Sequence, residues 1–200
     1  MDTEKTLILG IGNILWADEG FGVRVVQALE RAYQFPASVS LVDGGTQGLA
    51  LIPHVQATDI LVIIDAVDFN LAPGSLVQLH GEEVPAYLGA NKMSLHQISF
   101  QEVLALSQLL GKSPKQIALF GVQPEILEDY GGSLSPVVKG QMQPAMDQIL
   151  AYLAGLGIHA SAKAQLHGGQ NGATDMGEYE CRRPGPEEAC RFGDARFLSH

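Results

Sequence analysis

The sequence predicts an α/β protein with a largely parallel central sheet and helices on both faces. Short apolar runs of strand length alternate along the chain with stretches of helical periodicity. The run Ile60–Ile64 has five consecutive apolar residues, which is typical of a central parallel strand covered on both faces. These observations predict a three-layer α/β/α sandwich around a twisted sheet of about five strands.

The composition and net charge of the chain indicate a folded single-domain protein and argue against nucleic-acid and membrane partners. The chain has 200 residues, of which 46% are hydrophobic and 17% charged, as in a single folded domain with its own core. Its formal net charge of −10 argues against a nucleic-acid partner, which needs a basic surface. Neither an apolar run of membrane-spanning length nor a signal-peptide pattern is present. We therefore expect a cytoplasmic monomer that binds neither nucleic acid nor membrane.

Five segments have the pattern of strands, and the fourth of them differs from the rest. They are Leu7–Leu9, Val39–Val42, Ile60–Ile64, Ser75–Leu79 and Lys115–Val122. The fourth segment follows the turn Pro73-Gly74 and alternates between apolar and polar residues. The sequence leaves open whether it is parallel or an antiparallel edge strand.

Helical periodicity follows the first two strands. The apolar periodicity predicts a helix from about Val23 to Tyr33. The helix must end before Pro36, because the residue that precedes a proline avoids the α region. A short helix beginning near Leu49 is expected to stop at Pro53.

Two longer helices are predicted in the second half. The pattern Ser99–Glu102 has the form of a capping box, so a helix is expected to begin there and to end at Gly111. This prediction leaves His96 in the loop before the helix. A last helix opens at Ser135-Pro136, with a kink or break expected at Pro144.

The last part of the chain changes character at about residue 161. It is polar and rich in glycine, and it has no sustained periodicity. We therefore predict one domain over residues 1–160 and a flexible tail over 161–200. The tail holds Cys181 and Cys190, the only cysteines. They are a redox pair, metal ligands or free thiols, and the absence of a surrounding ligand set favours free thiols.

The first strand leads into a glycine turn and a pair of carboxylates. Gly10 and Gly12 break the strand, and Asp18 and Glu19 stand before the helix. In open α/β sheets this strand end is where ligands bind. A dinucleotide fingerprint would need a third glycine where Leu15 stands, and an acidic pair repels a pyrophosphate. A cation is the better candidate.

Three side chains are candidate ligands for a divalent metal: Glu19 after the first strand, Asp65 at the end of the third, and His96. Two carboxylates and an imidazole suit a borderline metal ion and leave coordination positions open. Each residue also has a simpler interpretation. In this interpretation, the negative charge of Glu19 stabilises the N-terminus of the helix, Asp65 caps a turn, and His96 is only a polar residue of a loop.

Several motifs resemble those of the hydrogenase maturation endopeptidases. This family has a strand followed by G-x-G-N-x-L-x-x-D-E-x-x-G-V, matched here by Gly10, Gly12, Asn13, Leu15, Asp18, Glu19, Gly22 and Val23. Its later motifs are matched by Asp43–Thr46, Asp65-Ala66, Pro73-Gly74, Lys92, Ser94, His96, Gln97, Gly121, Val122, Pro124 and Glu125. The resemblance spans about residues 5 to 155 in the family's order.

The resemblance implies a specific activity. Such enzymes remove a C-terminal extension from the large-subunit precursor of nickel–iron hydrogenases once nickel has been inserted. The family's metal-contacting residues correspond to Glu19, Asp65 and His96, which are our candidate catalytic and metal-binding residues. The chain lacks the G-x-S-x-G and H-E-x-x-H motifs, in line with a site completed by nickel that the precursor carries. Asp18 or Asp65 is then a candidate base.

Two questions stay open on sequence alone. The apolar tip Ile14–Trp16 either folds inward, as tryptophan usually does, or docks the precursor. The same three ligands would also serve a non-cleaving nickel checkpoint protein or metallochaperone for hydrogenase assembly.

Overall fold

The computed structural model describes residues 4–90, 95–127, 129–163 and 176–182. Within these ranges, the side chains of residues 87, 89–90, 95–99 and 182 are not described.

Strands and helices alternate along the chain. The strands are β1 (Thr6–Ile11), β2 (Tyr33–Gln34), β3 (Val39–Gly45), β4 (Ile60–Ala66), β5 (Leu76–His80), β6 (Gln116–Val122) and β7 (Ser161–Ala162). The α-helices are α1 (Phe21–Ala32), α2 (Ile52–Gln56), α3 (Glu83–Ala90), α4 (Leu95–Leu109), α5 (Pro136–Lys139), α6 (Met142–Gly155) and α7 (Met176–Arg182). Two 3-10 helices, Ala17–Gly20 and Gly48–Leu51, precede α1 and α2.

The central sheet has five strands in the order β3-β1-β4-β6-β5. The first four are parallel, and β5 is an antiparallel strand at the edge beside β6. β5 begins at the end of the sheet where β4 finishes, because Leu76 pairs with Val122, the last residue of β6. The short connection from β4 therefore turns the chain back. The predicted largely parallel sheet is confirmed.

Each face of the sheet is covered by its own apolar layer. Ile8, Val62 and Phe120 pack on one face, with residues of α1 and α6. Leu9 and Ile63 pack on the other, with residues of α2, α3 and α4. Neighbouring residues of a strand thus enter opposite layers, as the pleat requires. The predicted three-layer α/β/α architecture is confirmed.

Three predicted helix features are wrong in position. α4 begins at Leu95, so His96 lies in its first turn and not in a preceding loop. Between Leu95 and Ser99 there is neither proline nor glycine, so the helix extends past the apparent capping box. Pro53 lies in the first turn of α2 instead of ending a helix. The break expected at Pro144 lies earlier in the chain, between α5 and α6. Pro144 therefore lies in the first turn of α6, where its missing N–H costs no helical hydrogen bond.

Within the range 161–200, the described residues 161–163 and 176–182 include two elements. β7 pairs antiparallel with β2, and α7 carries Cys181, which is exposed. Cys190 lies outside the described residues. The domain boundary at residue 160 and the flexibility of the tail stay predictions. Each helix in the described ranges falls short of the length or apolar content that a bilayer crossing needs.

Candidate functional site

The carboxyl ends of three parallel strands bring the predicted site residues to one edge of the sheet. β1 and β4 are paired through Gly10 and Ile64, and β4 and β6 through Asp65 and Gly121. The segments that follow these strands therefore leave the sheet side by side. We call this the carboxyl edge; it is where open α/β sheets bind ligands.

Gly12 is the point at which two of the predicted residues meet. Its φ of +125° lies in the region that side chains disfavour. A Cβ placed on it would lie 1.9 Å from the backbone oxygen of Glu19 and 3.8 Å from Oδ1 of Asp65. The backbone of Glu19 and the carboxylate of Asp65 thus approach the same glycine.

A second glycine explains why α1 lies so close to the sheet. A Cβ on Gly22 would lie 2.0 Å from the backbone oxygen of Ile64 and 2.4 Å from that of Ile11. The backbone of α1 therefore packs directly on the ends of β1 and β4. This contact brings the 3-10 helix Ala17–Gly20, and Glu19 with it, onto the carboxyl edge.

Asp65 and Glu19 differ in exposure. Asp65 is fully buried, and its Oδ1 accepts a hydrogen bond from the Ala66 N–H at 2.8 Å. Glu19 is half-buried, and its N–H donates to the Trp16 oxygen at 2.9 Å. A buried carboxylate beside a more accessible one suits a site in which one group is held firmly and the other meets a ligand.

Asp18, the other member of the acidic pair, is an internal anchor. Its buried carboxylate accepts hydrogen bonds from the N–H groups of Glu125 and Ile126 at 2.9 and 2.8 Å. It also accepts from the N–H and the hydroxyl of Ser135, at 2.7 and 3.0 Å. These four donors occupy both oxygens. The carboxylate of Asp18 is therefore committed to contacts within the protein.

Asp18 fixes a loop that is not among the site residues predicted from the sequence. Asp18 holds both ends of the segment made of residues 125–127 and 129–135, which we call the rim loop, and its own N–H donates to the Ile126 oxygen at 3.1 Å. The signal was present in the D-E pair. Adjacent residues of one helical turn point in different directions, so Asp18 can be buried while Glu19 is only half-buried.

His96 reaches the same edge through α4. A short connection joins the end of α4 to the start of β6, so this helix runs opposite to the parallel strands and begins at their carboxyl ends. The first turn of α4 contains His96, whose side chain lies outside the described part of the structure. Among the described side chains, no three His, Cys, Asp or Glu residues form a group that could hold a metal ion. Binding of a metal by Glu19, Asp65 and His96 stays a prediction.

Exposed apolar side chains border the carboxyl edge. They form a patch that we call the apolar rim: Leu15, Trp16, Ile126 and Tyr130. Trp16 is 36% exposed and makes an edge-to-face contact with Tyr130, with 5.4 Å between ring centroids. Its backbone also bridges to Tyr130 and Gly132. Trp16 is therefore not folded inward, and of the two interpretations of the tip the exposed one fits the structure.

The chain is an α/β protein whose parallel strands end at an edge of the kind that binds ligands. A family model described as "Hydrogenase maturation protease" matches residues 23–152. The chain belongs to this family, which makes it a protease, as its motifs predicted.

Curated relatives and solved structures agree with this assignment. The hydrogenase expression/formation protein HupD of Thiocapsa roseopersicina is 50% identical over 199 residues, covering 98% of this chain and 90% of the relative. The hydrogenase 2 maturation protease of Escherichia coli is 43% identical, covering 82% of this chain and 99% of the relative. The structure of the hydrogenase maturating endopeptidase HybD from E. coli superposes with a TM-score of 0.76 at 42% identity, covering 80% of this chain and 98% of that one. The HupD match thus takes in nearly the whole of this chain, whereas about a fifth has no counterpart in the E. coli protein.

Proposed function

We propose that this protease removes the C-terminal extension of the nickel–iron hydrogenase large-subunit precursor after nickel insertion, and that it recognises the nickel which the precursor carries. Family membership supports the protease activity. The observation that supports the finer proposal is that the backbone of Glu19 and the carboxylate of Asp65 approach Gly12 at the carboxyl edge, where α4, the helix that contains His96, begins.

The donor set suits a metal that arrives with its own ligands. Two carboxylates and one imidazole supply three ligands to a borderline divalent ion. Such a set, with two anionic members and open positions, favours an ion already held by thiolates of the precursor. Cleavage would then depend on the metal, because a precursor without nickel lacks the group that these three residues bind.

Hydrolysis of the scissile peptide bond needs a nearby general base that can later act as a general acid. We assign this role to Asp65, whose carboxylate lies near Gly12 at the carboxyl edge, where the backbone of Glu19 also approaches. Asp65 takes a proton from the attacking water as its oxygen bonds to the carbonyl carbon. The carbon–nitrogen bond then breaks, and the proton passes to the leaving amine. The products are the shortened precursor and the released peptide.

The test is mass spectrometry of the precursor after incubation with the full-length protease, with nickel-loaded and nickel-free precursor in parallel. Wild-type protein should shorten only the nickel-loaded form. Glu19→Gln, Asp65→Asn and His96→Ala should each lower the initial rate by about 100-fold or more, the usual contribution of one catalytic group. Glu82→Gln is the matched control, because Glu82 is an exposed acid directly before α3, at the opposite edge of the sheet.

The same experiment separates this proposal from its rivals. Undiminished processing by all three variants would eliminate the assigned site. Equal cleavage of nickel-free precursor would eliminate nickel recognition. A precursor that binds in a nickel-dependent way but keeps its mass would identify a non-cleaving checkpoint protein instead.

A further inference from the structure

Helix α7 returns from the C-terminal segment to contact the rim loop. The Glu180 carboxylate accepts hydrogen bonds from Lys139 Nζ, at 2.9 and 2.8 Å, and from the Ser133 hydroxyl at 2.7 Å. Ser133 belongs to the rim loop, and Lys139 ends α5, which follows it. One side chain of α7 thus joins the loop to the next helix.

The neighbouring tyrosine strengthens the attachment. The Tyr179 hydroxyl donates to the backbone oxygen of Gly132 at 3.5 Å. Its ring covers the guanidinium of Arg24, whose central carbon lies 5.3 Å from the ring centroid. Arg24 is 2% exposed and belongs to α1, the helix that follows Glu19. Met176 adds a contact with the apolar layer of that face.

The rim loop is therefore held from both sides. Asp18 fixes its ends from the interior, and α7 holds its middle from outside. Between these attachments the loop carries two residues of the apolar rim, Ile126 and Tyr130. The Gly131 N–H also donates to the Leu15 oxygen at 2.7 Å, which ties the loop to the tip that holds Trp16.

Helix α7 lies outside the match to the family model. Its residues lie beyond the stretch 23–152 that the family model matches, whereas the HupD relative covers 98% of this chain and so includes them. The ion pair between Lys139 and Glu180 is partly exposed, with side chains 42% and 29% accessible. Exposed pairs contribute little to global stability, so this contact is suited to placing a loop and not to holding a core.

We infer that α7 positions the rim loop for the hydrogenase precursor, so that the C-terminal segment is an accessory element of substrate binding. The inference rests on the proposed function, because it takes the precursor as the molecule that meets the apolar rim. The occupant is a protein segment with apolar side chains, which the exposed Trp16 and Tyr130 would pack against.

Trp16 offers a test that does not need activity, because it is the only tryptophan of the chain. Glu180→Lys in the full-length protein reverses the charge that faces Lys139 and should release the rim loop. Acrylamide should then quench Trp16 fluorescence more strongly than in wild type. The double variant Lys139→Glu/Glu180→Lys restores opposite charges and should return quenching to the wild-type value.

The kinetic readout separates positioning from a general loss of structure. Glu180→Lys should raise KM for the precursor about two- to fivefold and leave kcat nearly unchanged. This factor corresponds to the free energy that the loss of one exposed ion pair costs. The double variant should recover the wild-type KM. Glu82→Lys makes the same charge change at the opposite edge of the sheet and should alter neither KM nor quenching. Tyr179→Ala provides a second, independent variant should Glu180→Lys fold poorly.

The outcomes distinguish failure of this inference from failure of the proposed function. A Glu180→Lys protein with wild-type quenching and KM overturns the inference, as does a change in only one of the two measurements. If wild type does not cleave the precursor at all, the proposed function fails. The inference that depends on it then falls too, even if the quenching result shows that α7 holds the loop.

Discussion

The two edges of the central sheet each contain an aspartate that ties segments together, but they do so by different physical means. At the carboxyl edge, Asp18 is fully buried and accepts four hydrogen bonds from uncharged donors of the rim loop. At the opposite, amino edge, the side chain of Asp59 is 31% exposed. It accepts from the Lys5 N–H at 3.0 Å and pairs with Lys115 at 2.9 Å.

The comparison shows where a carboxylate can organise a site. Breaking the contacts of Asp18 would leave the buried N–H of Ser135 without its acceptor and would also break the part-buried bonds to Glu125 and Ile126. Water cannot readily replace the buried bond. Water and salt can replace the contacts of Asp59, because its ion pair faces solvent. The contacts of Asp18 therefore hold the carboxyl edge more firmly than the solvent-exposed ion pair of Asp59 holds the amino edge.

The largest effect is expected from Gly12→Ala. The new methyl group would meet the Glu19 oxygen in a backbone conformation that alanine disfavours. We therefore expect the unfolding free energy to fall by about 3 kcal/mol or more, and the processing of the precursor to be lost as well. Chemical denaturation measures the stability. Gly81→Ala is the control at the amino edge, since Gly81 also has a positive φ but nothing lies within 4 Å of its added Cβ. Its cost should be about 1–2 kcal/mol, the conformational penalty alone. Equal losses in the two variants would contradict the steric explanation.

Asp18→Asn should follow, with a loss of about 1–3 kcal/mol. The amide keeps one acceptor oxygen and turns a donor toward the N–H groups that Asp18 now satisfies. Urea denaturation of this variant beside Asp59→Asn compares the two edges directly. If Asp59→Asn cost as much as Asp18→Asn, burial would not be the reason for the difference.

Trp16→Ala should change binding more than stability. If the apolar rim docks the precursor, precursor affinity should fall about tenfold or more, as for a tryptophan at the centre of an interface. Leu109→Ala is the control, because Leu109 is 80% exposed at the end of α4 that faces the amino edge. Titration calorimetry with the nickel-loaded precursor measures both. Normal affinity of Trp16→Ala would remove the docking role.

The smallest effect is expected from Asp59→Asn, and it should depend on pH. The Lys5 N–H and then the Lys115 ammonium hold the pKa of Asp59 below its ordinary value, while Asp59 raises the pKa of Lys115. A lowered pKa in the folded state stabilises the protein above the unfolded-state pKa, and this contribution is lost as the pH falls through the folded-state pKa. The Tm of wild type should therefore slightly exceed that of the variant at about pH 7 and approach it at about pH 2. A Tm difference that grows in acid would reverse the assigned sign.

Local patterns determined the layers of this protein and the place of two site residues. The unbroken apolar run of β4 needs cover on both faces, so it predicted a central strand, and the residue that ends it, Asp65, had to emerge at the carboxyl edge. The order of strand, glycine turn and acidic pair likewise predicted that Glu19 lies at that edge. These features follow from burial and backbone conformation, which neighbouring residues specify.

The tertiary structure alone decided which distant segments meet. Asp18 binds Ser135 across 117 positions of the chain, and Glu180 binds Ser133 across 47. A carboxylate in sequence shows only that it needs donors, and several loops offer them. The direction of β5, the exposure of Trp16 and the attachment of α7 depend in the same way on where the folded layers bring loop ends together, which no local pattern encodes.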